Sequence, residues 1–264
     1  MTNVLVLGSM GMLGRYVDSY LRKNPQFNVT GYSREDFDAV RESVVELALH
    51  RFDVVINCIG VIKQVADNVQ HTDIIQVNSI FPNKLATYAQ QTNTKVIHIT
   101  TDCVYSGALG FYTELDPHDA LDVYGKTKSL GESPLAMNIR TSIIGEELDT
   151  SRSLIEWVKS NNNKKINGYT NHTWNGVTCL ELAKFIERTI TEQSFWTGTR
   201  HVFNTTPTSK KELVELIVKH FKLNIQVTPV ETPTSVHRTL STIHSKEITT
   251  SIDEQLAKLA QYTL

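Results

Sequence analysis

Residues 3–14 read NVLVLGSMGMLG and residues 15–24 continue as RYVDSYLRKN. Asn3 to Leu7 is an apolar run of strand length, a glycine-punctuated turn follows at once, and the next segment is compatible with a helix. Strand, glycine turn and helix in immediate succession is the context that a dinucleotide site needs. Gly8 permits the tight turn, Gly11 lets a pyrophosphate approach backbone N–H groups at the helix N-terminus, and Gly14 lets helix and strand pack closely. The spacing is G-x-x-G-x-x-G rather than the commoner G-x-G-x-x-G, so the turn gains weight only from what surrounds it.

Outward from this turn the alternation repeats. Phe27 to Tyr32 reads as a second strand, and it ends in Ser33 and Arg34 where NAD-specific sites usually carry an acid for the ribose hydroxyls. An arginine there suits a 2′-phosphate, so NADPH is the expected cofactor and NADH the alternative. Val40, Val44, Leu47 and Ala48 mark one face of an expected helix, and DVVIN then begins a third buried strand that ends in Asn57, Cys58, Ile59 and Gly60. The expected fold is therefore α/β: a doubly wound parallel (Rossmann) sheet with a smaller C-terminal α/β substrate lobe. Residues 1–147 are expected to form the first and residues 148–264 mainly the second, with some later segments returning to the sheet. Ligands should gather at the carboxyl ends of the strands, where Gly8, Arg34, Gly60 and Thr101 fall.

Chemistry concentrates in residues 99–128, ITTDCVYSGALGFYTELDPHDALDVYGKTK. Tyr124 and Lys128 are four apart in a helix-compatible segment, so both side chains lie on one face. An ammonium beside a phenol stabilises the phenolate and lowers a pKa that is ordinarily about 10. Upstream, the strand-like KVIHIT leads to the Thr101 hydroxyl at a strand end. A carbonyl oxygen held between Thr101 and Tyr124 would be polarised and then protonated.

Composition narrows the class. The 264 residues are 40% hydrophobic, enough to bury a core. A formal net charge of −2 without a basic block argues against nucleic acid or an anionic membrane as partner, while leaving room for a small anionic ligand. Cys58, Cys103 and Cys179 are isolated, with no metal-ligand spacing, which points to a reducing compartment. No apolar run reaches ~18 residues and no signal peptide precedes the first strand, so a cytoplasmic protein is expected.

The segments VLGSMGMLG, NCIG, VNSIFPNKLA, HITTDCVYSG, FYTELD, VYGKTKSLGE and IRTSIIG, in this order, resemble the extended short-chain dehydrogenase/reductases. More narrowly, the chain is similar to the dTDP-4-dehydrorhamnose reductase branch, densely over the first 145 residues and more loosely beyond. The resemblance implies NADPH-dependent reduction of the 4-keto group of a UDP- or dTDP-linked 4-keto-6-deoxyhexose, in making a deoxysugar such as L-rhamnose or a 2-acetamido-2,6-dideoxyhexose. It implies that Tyr124 donates the proton, that Lys128 holds the nicotinamide ribose and lowers the tyrosine pKa, and that Thr101 binds the sugar carbonyl. Gly8, Met10, Gly11, Met12, Leu13, Gly14, Ser33, Arg34, Cys58, Ile59, Gly60 and Thr100 would line the cofactor beside Tyr124 and Lys128. Lys63, Asp102, Val104, Trp174, Asn175 and Arg238 would meet the substrate, with Arg238 towards the diphosphate. Asn78 would help fix the fourth strand and the lysine. Family members often pair through the helices flanking the tyrosine, which allows a homodimer.

Two departures stand out. Cys103 replaces the usual aromatic residue after Thr-Asp, and Ala120, Leu121, Asp122 and Val123 replace a proline-led segment. On an extended strand end Cys103 would face the same side as Thr101. The resemblance to GDP-fucose synthases then implies an alternative, a 3-epimerase/4-reductase with Cys103 as base and His172 as returning acid. A further alternative is a non-catalytic NADP-binding subunit resembling the β subunit of methionine adenosyltransferase.

In the second half, EELDTSRSLIEWVKS reads as a helix, VTCLELAKFIERTI is amphipathic through Cys179, Leu182, Phe185, Ile186 and Ile190, and IDEQLAKLAQYTL reads as a packing helix. Trp157, Tyr169, His172, Trp174 and Asn175 are candidates for sugar or base contacts, whereas His220 sits on an apolar helix face as a structural residue.

Overall fold

The computed structural model describes residues 1–66, 68–148, 152–246, 248 and 250–264. Alternation begins with β1 (Thr2–Leu7), α1 (Met12–Arg22), β2 (Phe27–Tyr32) and β3 (Val54–Asn57). A helical stretch follows, made of α2 (Lys63–Ala66), α3 (His71–Ile75), a π turn (Gln76–Ile80) and α4 (Phe81–Thr92). Next come β4 (Lys95–Thr101), a 3-10 turn (Asp102–Val104), α5 (Val123–Leu130) and β5 (Met137–Thr141). The second half contains β6 (Ile143–Ile144), α6 (Leu154–Ser160), β7 (Lys165–Tyr169), β8 (His172–Trp174), β9 (Val177–Thr178) and α7 (Cys179–Thr191). It closes with β10 (Gly198–His201), β11 (Thr208–Ser209), α8 (Lys210–His220), β12 (Gln226–Val230), β13 (Val236–His237) and α9 (Ile252–Leu259).

Six strands form one parallel sheet in the order β10-β5-β4-β3-β1-β2. Alternate residues of β1 explain why it is covered on both faces. Val4 and Val6 join a core with α1 and α7, whereas Leu5 and Leu7 join one with Leu85, Ala86 and Ala89 of α4. A strand buried on both faces needs the near-continuous apolar run that NVLVL supplies. The order reverses between β1 and β3, which makes their carboxyl ends the topological switch point where ligands bind in this architecture. β10, from the second half, completes one edge beside β5. The remaining strands make three small sheets, β11-β8-β13, β12-β7 and β6-β9.

Two expected helices differ. Residues 40–48 do not form an α-helix: Val44–Leu47 and Leu49–Arg51 are short 3-10 turns broken at Ala48, whose φ is 47°. Leu47 and Leu49 are both buried in the α4 core, and a spacing of two cannot lie on one α-helical face. The helix expected from residue 146 starts only at Leu154, capped by the Ser153 side chain, and residues 149–151 lie outside the described residues.

Candidate active site

The glycine turn meets β3 at the switch point. Gly8 has φ +75°, a conformation that L side chains rarely adopt, and a Cβ there would stand 3.2 Å from the Cys58 carbonyl carbon and the Ile59 nitrogen. A Cβ on Gly14 would overlap the Gly8 carbonyl oxygen at 2.0 Å, so the helix docks on the turn only because both are glycine. Gly11 caps α1 without any side-chain hydrogen bond, leaving backbone N–H groups at that end for an anion. Arg34, just past the end of β2, has a side chain that is 80% exposed and pairs with Asp38 at 3.5 Å. These residues fit a dinucleotide carrying a 2′-phosphate. Leu13 is buried in the core and Met10 is exposed. Ser33 is occupied by Asp36 through its backbone N–H and its hydroxyl.

Catalytic candidates converge at the carboxyl end of β4. Thr101 caps the 3-10 turn that follows, its hydroxyl accepting from the Cys103 N–H at 3.1 Å and donating to Asp102 Oδ1 at 3.2 Å. α5 is started by the Asp122 carboxylate, which accepts from the Gly125 N–H at 2.8 Å. Gly125 lets that helix lie against the turn, because a Cβ there would reach 2.4 Å from the Cys103 carbonyl oxygen. The Tyr124 phenol consequently comes within electrostatic reach of the Thr101 hydroxyl and of Cys103. One helical turn on, the buried Lys128 donates from Nζ to the Ile99 carbonyl at 2.8 Å. Its ammonium also faces Gly60 across the switch point.

Neighbouring helices brace α5 from behind. Asn78 donates to the Val61 carbonyl and the Thr127 hydroxyl and accepts from the Val61 N–H at 2.9 Å, while Ser79 donates to the Thr127 carbonyl at 2.7 Å. The π turn makes this double grip available: Val77, Asn78 and Ser79 are three consecutive buried residues, more than one α-helical face accommodates. Asn78 therefore fixes the β3 loop and α5, not the lysine directly.

Burial sets the resting state of the phenol. Burial, followed by the nearby Cys103, pushes Tyr124 well above its ordinary value, and burial pulls Lys128 down to about 8. Tyr124 is thus a neutral O–H donor, the form that gives a proton to a reduced carbonyl oxygen. Cys103 departs as well. It sits in a 3-10 turn rather than on an extended strand end, and burial and the Asp102 carboxylate push its thiol up to about 12. His172 is held elsewhere, its Nε2 on the Thr232 hydroxyl at 2.7 Å and its ring against Tyr169.

Several expected contacts have structural partners. Val104 is fully buried with Tyr105, Tyr112, Phe203 and Leu240, so its side chain is core and not a substrate contact. Asn175 spends its amide clamping the Leu240 backbone, donating to the carbonyl and accepting from the N–H, both at 2.8 Å. The Thr100 hydroxyl donates to Glu132 at 2.9 Å. Trp174 is 4% exposed and donates to the Ser142 hydroxyl, leaving only its ring face. Lys63 pairs with Asp122 at 2.7 Å near the start of α5, and Arg238 donates to the Tyr105 carbonyl at 3.2 Å beside the catalytic turn. Trp157 and Tyr169 lie partly exposed on the second half, and His220 binds Asp253 as a structural group. A cleft of about 500 Å³ opens by Thr173, Thr208 and Ser209 and does not include Thr101, Tyr124 or Lys128. Among the described residues, no group of three His, Cys, Asp or Glu side chains could hold a metal ion. Nor is any helix among them long and apolar enough to cross a membrane.

A family model described as RmlD substrate binding domain matches residues 1–261. The chain belongs to that family. The dTDP-4-dehydrorhamnose reductase of Aggregatibacter actinomycetemcomitans is 29% identical over 151 residues, 54% of this chain and 51% of that protein. The probable low-salt glycan biosynthesis reductase Agl14 of Haloferax volcanii is 32% identical over 177 residues, 59% of each. Methionine adenosyltransferase 2 subunit beta of Mus musculus is also similar, 29% identical over 143 residues, 51% of this chain and 43% of that protein. The chain thus spans about half the length of the curated relatives it matches. A dTDP-4-dehydrorhamnose reductase from Bacillus anthracis, solved in complex with NADP, superposes with a TM-score of 0.82 at 20% identity over 98% of each chain, a likeness of fold.

Two features of this RmlD-family chain escaped the sequence reading. Behind α5, the buried Arg140 guanidinium binds Glu132, Tyr105, His118 and His201. A guanidinium only donates, so both imidazoles accept at Nε2 and carry their proton on Nδ1, towards Ser129 and the Ser241 carbonyl. Burial, then Arg140, pulls His201 down to about 4. The second is Lys210, the first residue of α8, which comes within electrostatic reach of Asp102 and Cys103. The Ser209–Glu212 capping box was the available signal, since it places a lysine at the positive end of a helix.

Proposed function

We propose that this chain reduces the 4-keto group of a nucleotide-linked 4-keto-6-deoxyhexose with NADPH, or alternatively NADH, in the biosynthesis of a deoxysugar. The observation that carries the reading is the convergence of the Thr101 hydroxyl and the neutral Tyr124 phenol above Lys128, opposite the glycine turn. The cofactor, when bound, supplies the hydride. Thr101 releases Asp102 and donates to the carbonyl oxygen, which favours the charge that develops there. Tyr124 transfers its phenolic proton to that oxygen, and the Lys128 ammonium stabilises the phenolate left behind. Lys128 is itself held by the Ile99 carbonyl, and Gly8, Gly11 and Gly14 leave the backbone open to the pyrophosphate. Arg34 would take the 2′-phosphate.

Reduction without epimerisation fits these residues best, because Cys103 is a neutral thiol and His172 is committed to Thr232. The intact Thr101, Tyr124 and Lys128 favour an enzyme over a silent subunit. Three free cysteines favour a cytoplasmic setting, and exposed Leu121 and Leu130 flanking the tyrosine would suit pairing of two copies. The test is NADPH oxidation by the purified protein given UDP- and dTDP-linked 4-keto-6-deoxyhexoses in deuterated water. The expected outcome is turnover with no deuterium on the carbons beside the ketone. Absence of turnover with every ketosugar overturns the reductase reading, and exchange that Cys103→Ser abolishes reinstates the epimerase.

A further inference from the structure

Glu132 stands just past the end of α5, four residues after Lys128, and its side chain is 6% exposed. Its N–H still donates to the Ser129 carbonyl at 3.3 Å, so the helical winding carries its carboxylate to the side of α5 that Lys128 occupies. Gly131 sets the approach of this end, because a Cβ there would stand 2.0 Å from the Asn78 carbonyl oxygen in the π turn. Donors from three adjacent strands then meet the carboxylate. Oε1 accepts from the Thr100 hydroxyl of β4 at 2.9 Å and from Arg140 Nε of β5 at 3.0 Å. Oε2 accepts from Arg140 Nη2 and from the Thr199 hydroxyl of β10 at 3.3 Å. Both oxygens are filled, which leaves the carboxylate one orientation.

β4 is consequently gripped from α5 at two successive residues. Lys128 Nζ holds the Ile99 carbonyl at 2.8 Å and Glu132 holds the Thr100 hydroxyl. The next residue is Thr101, whose height against Tyr124 is set by this double grip. Glu132 is an awkward choice for the helix alone, since the dipole disfavours an anion at a C-terminal end, whereas Asp122 at the start of α5 is favoured there. Its surroundings supply a reason. The titratable groups facing Lys128 are Cys58 from the loop after β3, His98 from β4 and Tyr124 one turn back on α5. Burial pushes Cys58 up to about 12, raises Tyr124 and pulls His98 well below its ordinary value, so all three are neutral near pH 7. Among the described residues Glu132 is the one carboxylate acting on Lys128, and it favours the ammonium.

We propose that Glu132 is a positioning residue for the reaction, its carboxylate, anchored by Arg140, tying the Lys128 ammonium and the Thr101 end of β4 to one helix end without touching ketone or cofactor. It rests on the proposed reductase function only for the step that Lys128 serves. Lys128 is buried, and its ammonium has to survive there to stabilise the phenolate that Tyr124 becomes. A fixed carboxylate one turn away offsets that burial, and its own desolvation is offset by the guanidinium and the two hydroxyls.

Glu132→Gln tests this, because it keeps the shape and an acceptor for Thr100 while removing the charge. The intact protein, carrying carbon-13 at lysine Cε, is titrated by NMR, and the Lys128 signal is assigned from its loss in Lys128→Arg. Lys128 should titrate near 8 in wild type and about one pH unit lower in Glu132→Gln. In ketosugar reduction the alkaline limb should move with it, lowering kcat/KM roughly fivefold at pH 8 and hardly at pH 6. Glu132→Ala, which also frees Thr100, should lose roughly tenfold or more in kcat at every pH. Since Glu132→Gln strands the Arg140 guanidinium, Glu132→Gln with Arg140→Met removes both charges and should show the same Lys128 displacement. Thr199→Val loosens the carboxylate but keeps its charge and should leave Lys128 at its wild-type value. The proposal is overturned if Lys128 titrates as in wild type without Glu132, or if Thr199→Val displaces it as far. The NMR titration needs no turnover: a displaced Lys128 in a protein that reduces no ketosugar keeps the hold and removes the reductase, while turnover with an undisplaced Lys128 does the reverse.

Discussion

The catalytic turn with α5 and the small sheet around β8 hold their polar groups in opposite ways. Around α5 nearly every such group ends on protein: Asn78 on Val61 and Thr127, Lys128 on Ile99, Glu132 on Arg140. Around β8, among the described residues, the Lys210 ammonium makes no hydrogen bond and lies over the Trp174 ring, whose indole N–H is taken by Ser142. A satisfied network keeps one geometry, which a proton transfer needs. An unsatisfied one waits for a ligand. The contrast separates residues that position chemistry from residues that capture substrate, and it can be broken at specific points.

The largest effect is expected at the phenol. Tyr124→Phe should lower kcat for ketosugar reduction by roughly 10²–10⁴-fold, the usual range for loss of a general acid, while leaving NADPH affinity intact. Calorimetry alongside steady-state kinetics checks both. Retention of wild-type kcat would move the proton donor elsewhere.

Acid should attack the braced region through His201. Its folded pKa of about 4 lies below the ordinary value of 6.5, so its stabilisation is complete above that value and is lost as pH falls through the folded pKa. Up to roughly 3 kcal/mol should disappear across that window. Urea unfolding of wild type and His201→Gln between these limits should give a flatter acid limb in the variant.

A smaller effect concerns Lys128, whose ammonium loses its proton above about pH 8. Since the protonated form is the one that stabilises phenolate, kcat/KM should fall about tenfold per pH unit beyond that point. A profile that stays level to pH 10 would show that the charge is not required. Smallest of all, Arg34→Ala should raise KM for NADPH by about tenfold while sparing NADH, because Arg34 is exposed and screened. Equal losses with both cofactors would remove it from the 2′-phosphate.

The same contrast explains what the sequence could disclose. The glycine turn and Tyr124 with Lys128 were legible because each works through local spacing. A turn needs glycine at one φ, and a helix puts residues four apart on one face. The break at Ala48 was not legible, since apolar residues at 40, 44, 47 and 48 imitate a helical stripe while Leu47 and Leu49 both turn inward. Val104 and Asn175 looked like site residues because they neighbour site residues in the chain, yet packing turned one into core and the other into a backbone clamp. Lys210 was missed for the opposite reason. It lies 109 positions after Thr101 in the sequence, and only the pairing of β11 with β8 brings it near.

The π turn at Gln76–Ile80 works as a phase shifter in an otherwise continuous helical run. One additional residue in a turn rotates everything downstream by about 100°, so the stretches before and after it can obey different neighbours. α4 keeps Leu85, Ala86 and Ala89 on the sheet while Asn78 and Ser79 look sideways at α5. Deleting a single residue there would force a choice between a sealed core and a held catalytic helix, which makes an apparent irregularity a requirement for having both.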